Sequence, residues 1–105
     1  MAQFIEGTRS DGGSVVHLSG EIDLAVVGDL LEMVLDCLAR ADDLQLDLGD
    51  VTFIDSSGLG VLVRVRNEAA LQGKSLSLAN VGRPTSRLLE ITGLGEAFDI
   101  RSDET

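Results

Sequence analysis

The stretch Asp50-Val51-Thr52-Phe53-Ile54-Asp55-Ser56-Ser57-Gly58-Leu59-Gly60 decides how the rest of this chain is read. A buried strand, Leu44–Leu48, ends before it, a short loop follows, and two hydroxyls stand where a helix begins. That helix is expected from Ser56 to Gln72, with Gly73 in the place where a left-handed residue is wanted. Asp-Ser-Ser before an apolar run is an N-cap sequence, and capping is its plainest meaning. Gly58 and Gly60 each cost the helix roughly 0.5–1 kcal/mol against Ala. Either helix and strand pack closely there, or a bare surface beside the hydroxyl admits another protein's backbone.

Working outward, Val16 and Leu18 alternate with Val15, His17 and Ser19; Leu44, Leu46 and Leu48 with Gln45 and Asp47; Leu76 and Leu78 with Ser75, Ser77 and Ala79. Period-two alternation means one dry and one wetter face, whereas a sheet covered on both sides reads as continuous apolar runs. Strands are expected at Gln3–Arg9, Ser14–Ser19, Leu44–Leu48, Ser75–Ala79 and Ala97–Arg101, the first two joined through the Asp11-Gly12-Gly13 turn. A first helix carries Val27, Leu30, Leu31, Val34, Leu35 and Leu38 on its core stripe, with Asp23 as cap. A third opens at Pro84, turns Leu88, Leu89 and Ile91 inward, and stops at Gly93. The order β-β-α-β-α-β-α-β predicts one compact α/β domain over residues 1–105, with an open mixed sheet and helices mainly on one face. Its two strand–helix–strand units should give parallel pairs.

The composition excludes several functions. Eighteen acids against eight bases give a net charge of −10, which nucleic acid and anionic lipid would repel. With three Phe, no Trp and no Tyr, there are few rings on which bases could stack. The acidic surface keeps the chain soluble and suits a basic patch on a protein partner. No apolar run is long enough to span a bilayer, and the first residues lack the basic start of a secretory signal, so a cytoplasmic location is expected. A single Cys37 and a single His17 leave no disulfide and no zinc cluster, and no metal or cofactor is expected. Ser56 and Ser57 lack a Gly-x-Ser-x-Gly elbow, and the glycines complete no dinucleotide fingerprint, so an enzyme is not expected.

What remains is a docking surface. Helix-start amides and the positive end of the helix dipole favour anions, so a phosphate on Ser56 would be tolerated by the fold. The helix beyond it carries Leu59, Val61, Leu62, Val63, Val65, Ala69, Ala70 and Leu71, more circumference than one core stripe needs. Leu59 and Val63 are expected to stay partly exposed beside Gly60, Arg64 and Asn67; the alternative is deeper burial of the whole helix.

Asp55-Ser56-Ser57-Gly58-Leu59-Gly60 after Leu46-Asp47-Leu48 resembles the signature loop of the STAS domain, and within it of the bacterial anti-sigma factor antagonists. Gly20-Glu21-Ile22-Asp23 is similar to the family's Gly-Glu-Leu-Asp element, and Ile91-Thr92-Gly93-Leu94 to the end of its third helix. Family members usually continue into a further C-terminal helix, whereas five residues follow Ile100 here. The resemblance implies a protein that binds, unphosphorylated, an anti-sigma factor that is also a serine kinase, and thereby frees a sigma factor. Phosphorylation of Ser56, with Ser57 the second choice, would break the complex, and a metal-dependent serine phosphatase would restore it. Asp23 matches a family acid near that serine. The partner-binding set is then Asp23, Asp55, Ser56, Ser57, Gly58, Leu59, Gly60, Val63 and Arg64. The other reading is a STAS module without a phospho-switch, a constitutive adaptor or small-ligand sensor, with the chain a monomer or weak dimer in either case.

Overall fold

The computed structural model describes residues 1–101, and the ending at 102–105 lies outside the described residues. Five strands, β1 (Gln3–Thr8), β2 (Ser14–Ile22), β3 (Asp43–Ile54), β4 (Ser75–Ala79) and β5 (Asp99–Arg101), form one sheet in that order. The β1–β2 hairpin is antiparallel and every other neighbouring pair is parallel. Among the described residues the parallel pairs are joined by α1 (Val27–Arg40), α2 (Ser56–Leu71) and α3 (Arg83–Thr92), so there are three strand–helix–strand units, one more than expected. A 3₁₀ turn, Gly95–Ala97, follows α3.

The alternation holds in β3 and, except at Val15, in the expected part of β2, whereas in β4 Ser77 and Ala79 of the expected wetter face are buried as well. Val16, Leu18, Leu44, Leu46, Leu48 and Leu78 are buried in one core with Leu30, Val34 and Leu38 of α1, Leu59, Leu62 and Val65 of α2, and Leu89 of α3. Each such Leu removes enough apolar surface from water to contribute about 1.5–3 kcal/mol. The other face is held by polar groups. Asp47 Oδ2 meets His17 Nδ1 at 2.8 Å, and its Oδ1 accepts from Asn80 Nδ2 at 3.0 Å and the Gly49 amide at 2.9 Å. One carboxylate thus ties β2 and β3 to the loop after β4.

Two strands outrun their expected ends. β2 continues through Gly20-Glu21-Ile22 and β3 through Ile54, pairing Ile22 with Ile54 across irregularities after His17 and Gly20. Beyond Asp47, β3 has left β4, and α3 packs against this overhang. Ile91 was expected inward on α3 but is 73% exposed; Leu88 is half-buried and Leu89 buried, because only one edge of this short helix meets the core. Cys37 lies in α1 at 1% exposure, and burial pushes its thiol pKa up, with the Glu6 carboxylate adding to the effect.

Candidate functional site

The expected loop between a strand and Ser56 shrinks to one residue. Asp55 has extended backbone, its amide donates to the Ile22 carbonyl at 3.2 Å, and α2 begins immediately after it. Its Oδ1 accepts from the Ser57 amide at 2.9 Å, the Gly58 amide at 3.0 Å and the Ser57 hydroxyl. Asp55 is therefore the N-cap, and it satisfies two amides that have no partner inside the helix. The Ser57 hydroxyl, then the Gly58 amide, hold its carboxyl below the usual carboxylate range, with the Ser57 and Leu24 amides contributing against a modest desolvation.

The two serines are thereby separated. Ser57 is half-buried with its hydroxyl donated to Asp55, whereas Ser56 is exposed and its hydroxyl bonds no described residue. The two glycines separate as well. A Cβ at Gly58 would stand 2.8 Å from Ile54 Cγ1, 2.9 Å from Ile22 Cγ2 and 3.1 Å from the Ile22 carbonyl oxygen, so close packing of helix on strands demands it. A Cβ at Gly60 would meet nothing within 4 Å, and Gly60 is exposed. Close packing explains Gly58, and at Gly60 the surface beside the hydroxyl is bare.

Asp23 does not cap α1. Its Oδ1 accepts from the Ala25 amide at 3.1 Å and its carbonyl from Val26 at 3.0 Å, closing a turn, and α1 starts after Val26 with no side-chain cap. A helix cap accepts from amides inside the helix, and Asp23 lies too far upstream to do so. Asp23 and Leu24 nevertheless reach the site, because Ile22 pairs with Ile54 and the Leu24 amide approaches Asp55. Leu59 corrects the second expectation: it is buried, at 4% exposure, because α2 is flanked by α1 and α3 as well as the sheet. Val63 is half-buried and Arg64 exposed, so the accessible part of the proposed face is Ser56, Gly60, Val63 and Arg64, with Asp23, Asp55 and Ser57 half-buried beside it and Gly58 beneath.

Two exposed apolar residues were not singled out as site residues, Leu24 at 75% and Phe53 at 48% exposure, and Ile91, expected inward, is exposed as well. Their apolar character was visible, but the exposure of Phe53 comes with the β3 overhang, for which no periodic pattern spoke. Among the described residues no three His, Cys, Asp or Glu gather as a metal site, and no helix is long and apolar enough to cross a membrane.

The family model described as "Mlab, STAS domain" matches residues 6–101. The chain is similar to the anti-sigma-B factor antagonist of Bacillus subtilis (strain 168), with 39% identity over 91% of this chain and 88% of that one. A crystal structure of an anti-sigma factor antagonist from Mycobacterium paratuberculosis superposes with a TM-score of 0.86 at 28% identity, over 95% of this chain and 85% of that one. The Bacillus cell fate determinant SpoIIAA in its phosphorylated form shares the fold, with a TM-score of 0.76 at 18% identity, over 97% and 92% of the two chains.

Proposed function

Since the chain belongs to the STAS family of anti-sigma factor antagonists, we propose that it binds an anti-sigma factor through the rim around Ser56, releases a sigma factor, and is switched off when Ser56 is phosphorylated. The anti-sigma factor is itself the serine kinase, a metal-dependent phosphatase resets the chain, and all of this takes place in the cytoplasm. The observation that supports the reading best is the division of labour between neighbours: Asp55 caps α2 with Ser57 bound to it, leaving the exposed Ser56 hydroxyl without a structural task.

The physics of the switch follows. Phosphorylation adds about −1.5 to −2 charge at a helix start, where the amides and dipole favour an anion, so the domain should keep its fold. In a closed interface the same group lies beside Asp55 and must be desolvated or repelled. A loss of about 2–5 kcal/mol, typical of a buried unpaired charge, lowers affinity by roughly 30- to several-thousand-fold.

The test is calorimetric titration against purified anti-sigma factors with a kinase domain from the same genome. The wild-type and Ser56→Ala proteins should bind equally, and Ser56→Asp at least about 30-fold more weakly, with mass spectrometry after incubation with ATP placing one phosphoryl group on Ser56. Equal binding by the alanine and aspartate forms would favour the constitutive adaptor.

A further inference from the structure

Beside the rim, β3 and α3 frame an apolar groove of about 220 Å³ lined by Phe53, Ile54, Pro84, Arg87, Leu88 and Ile91. Positions 84, 87, 88 and 91 form one stripe of α3 at helical spacing, and Ile91 at 73% exposure and Phe53 at 48% leave large apolar surface on it. Such surface is costly in water unless something covers it.

The charges indicate what does so. In a chain of net charge −10, Arg9, Arg40 and Arg101 are each ion-paired within the fold. Arg87, which lines the groove, and Arg83, one turn before it on α3, are exposed and pair with no described residue. A cationic edge on an otherwise acidic molecule is complementary to a carboxylate, and a local inversion of sign of this kind sets the register of an interface.

Distance ties the groove to the switch. Phe53 stands three residues before Ser56, at most about 10 Å along an extended strand. A standard interface covers about 800 Å² of each partner, a disc about 16 Å in radius, so a protein centred on Ser56 reaches the groove. We propose that the groove is a second contact for the same anti-sigma factor, filled by an amphipathic segment that seats a large apolar side chain against Phe53 and Ile91 and sets a carboxylate against Arg87. The assignment rests on the function proposed above. It adds a contact whose apolar part does not depend on the charge state of Ser56.

The experiment measures the affinity of the purified anti-sigma factor for Ile91→Glu and Arg87→Glu, with Leu71→Glu as control. Leu71 is 81% exposed at the opposite end of α2, so it tests whether any exposed leucine would serve. Both groove variants should bind at least about ten-fold more weakly with unchanged melting temperatures, as for truncation of an interface anchor, and the control should bind as wild type. Should Ile91→Glu fail to fold, Ile91→Ser removes the apolar contact without adding charge and is measured in its place. Wild-type affinity in either groove variant, while Ser56→Asp still releases the partner, overturns the groove and leaves the switch standing. An equal loss in Leu71→Glu overturns the groove's specificity. A wild-type chain that binds no anti-sigma factor overturns both proposals.

Discussion

Gly58 and Gly60 stand two positions apart in α2, and opposite forces act on them. Alanine at either site gains helix propensity worth about 0.5–1 kcal/mol. At Gly58 the new methyl would press on the branched ends of Ile22 and Ile54 and on a backbone oxygen, none of which is the free end of a flexible chain. Overpacking of that kind costs about 1–3 kcal/mol, so Gly58→Ala should be destabilising by about 1–2 kcal/mol net. Gly60→Ala meets open space and should be stabilising by the propensity gain, about 0.5–1 kcal/mol. Urea unfolding followed by circular dichroism gives both signs, and a stabilised Gly58→Ala would show that the strands yield. The candidate site itself was legible only in outline. Asp-Ser-Ser offers three possible caps, and only the side-chain directions show that Asp55 takes the amides, Ser57 leans on Asp55, and Ser56 is left over.

At the scale of elements, α3 lacks a side-chain cap: Gly82 holds the position with extended backbone, and a Cβ there would touch only Pro84 Cδ at 3.8 Å. Gly82→Ser should therefore supply an acceptor to the first turn and restrict the unfolded chain, raising stability by about 0.5–1 kcal/mol in the same unfolding assay. No gain would mean the serine hydroxyl turns to solvent. Stop residues announced two helix ends, since Gly73 and Gly93, both at positive φ, end α2 and α3 as expected, whereas of the three helices only α2 carries a side-chain cap. The strand ends were harder to read. Gly49-Asp50 has the composition of a turn, yet β3 runs on for several residues, because the Asp47 side chain captures the Gly49 amide and β2 continues alongside. Helix α2 misled in the other direction: contact with α1, α3 and the sheet buries Leu59, and no single-helix pattern reports how many neighbours a helix has.

Across the whole molecule the net charge is −10, and the described residues span only 30 × 30 × 25 Å. At 0.01 M salt the screening length is about 30 Å, so every charge feels the others; at 0.1 M it falls to about 10 Å. The opposing term is small, since solvent screens exposed pairs such as Arg40 with Glu6 and Asp36. Repulsion should dominate, and the melting temperature should climb by about 2–5 °C between these two salt concentrations. A fall would place the ion pairs, Arg9 with Asp43 foremost, above the net charge in importance.

The sealed position of Cys37 has a practical corollary. The only sulfur nucleophile of the chain sits in the core with little tendency to ionise, and reagents that seek thiolates will pass it by. A sulfhydryl introduced by Ser56→Cys would then be the sole reactive handle on the protein. Alkylating it with a neutral or an anionic tag would let a chemist write either state of the switch onto the molecule by hand, no kinase required.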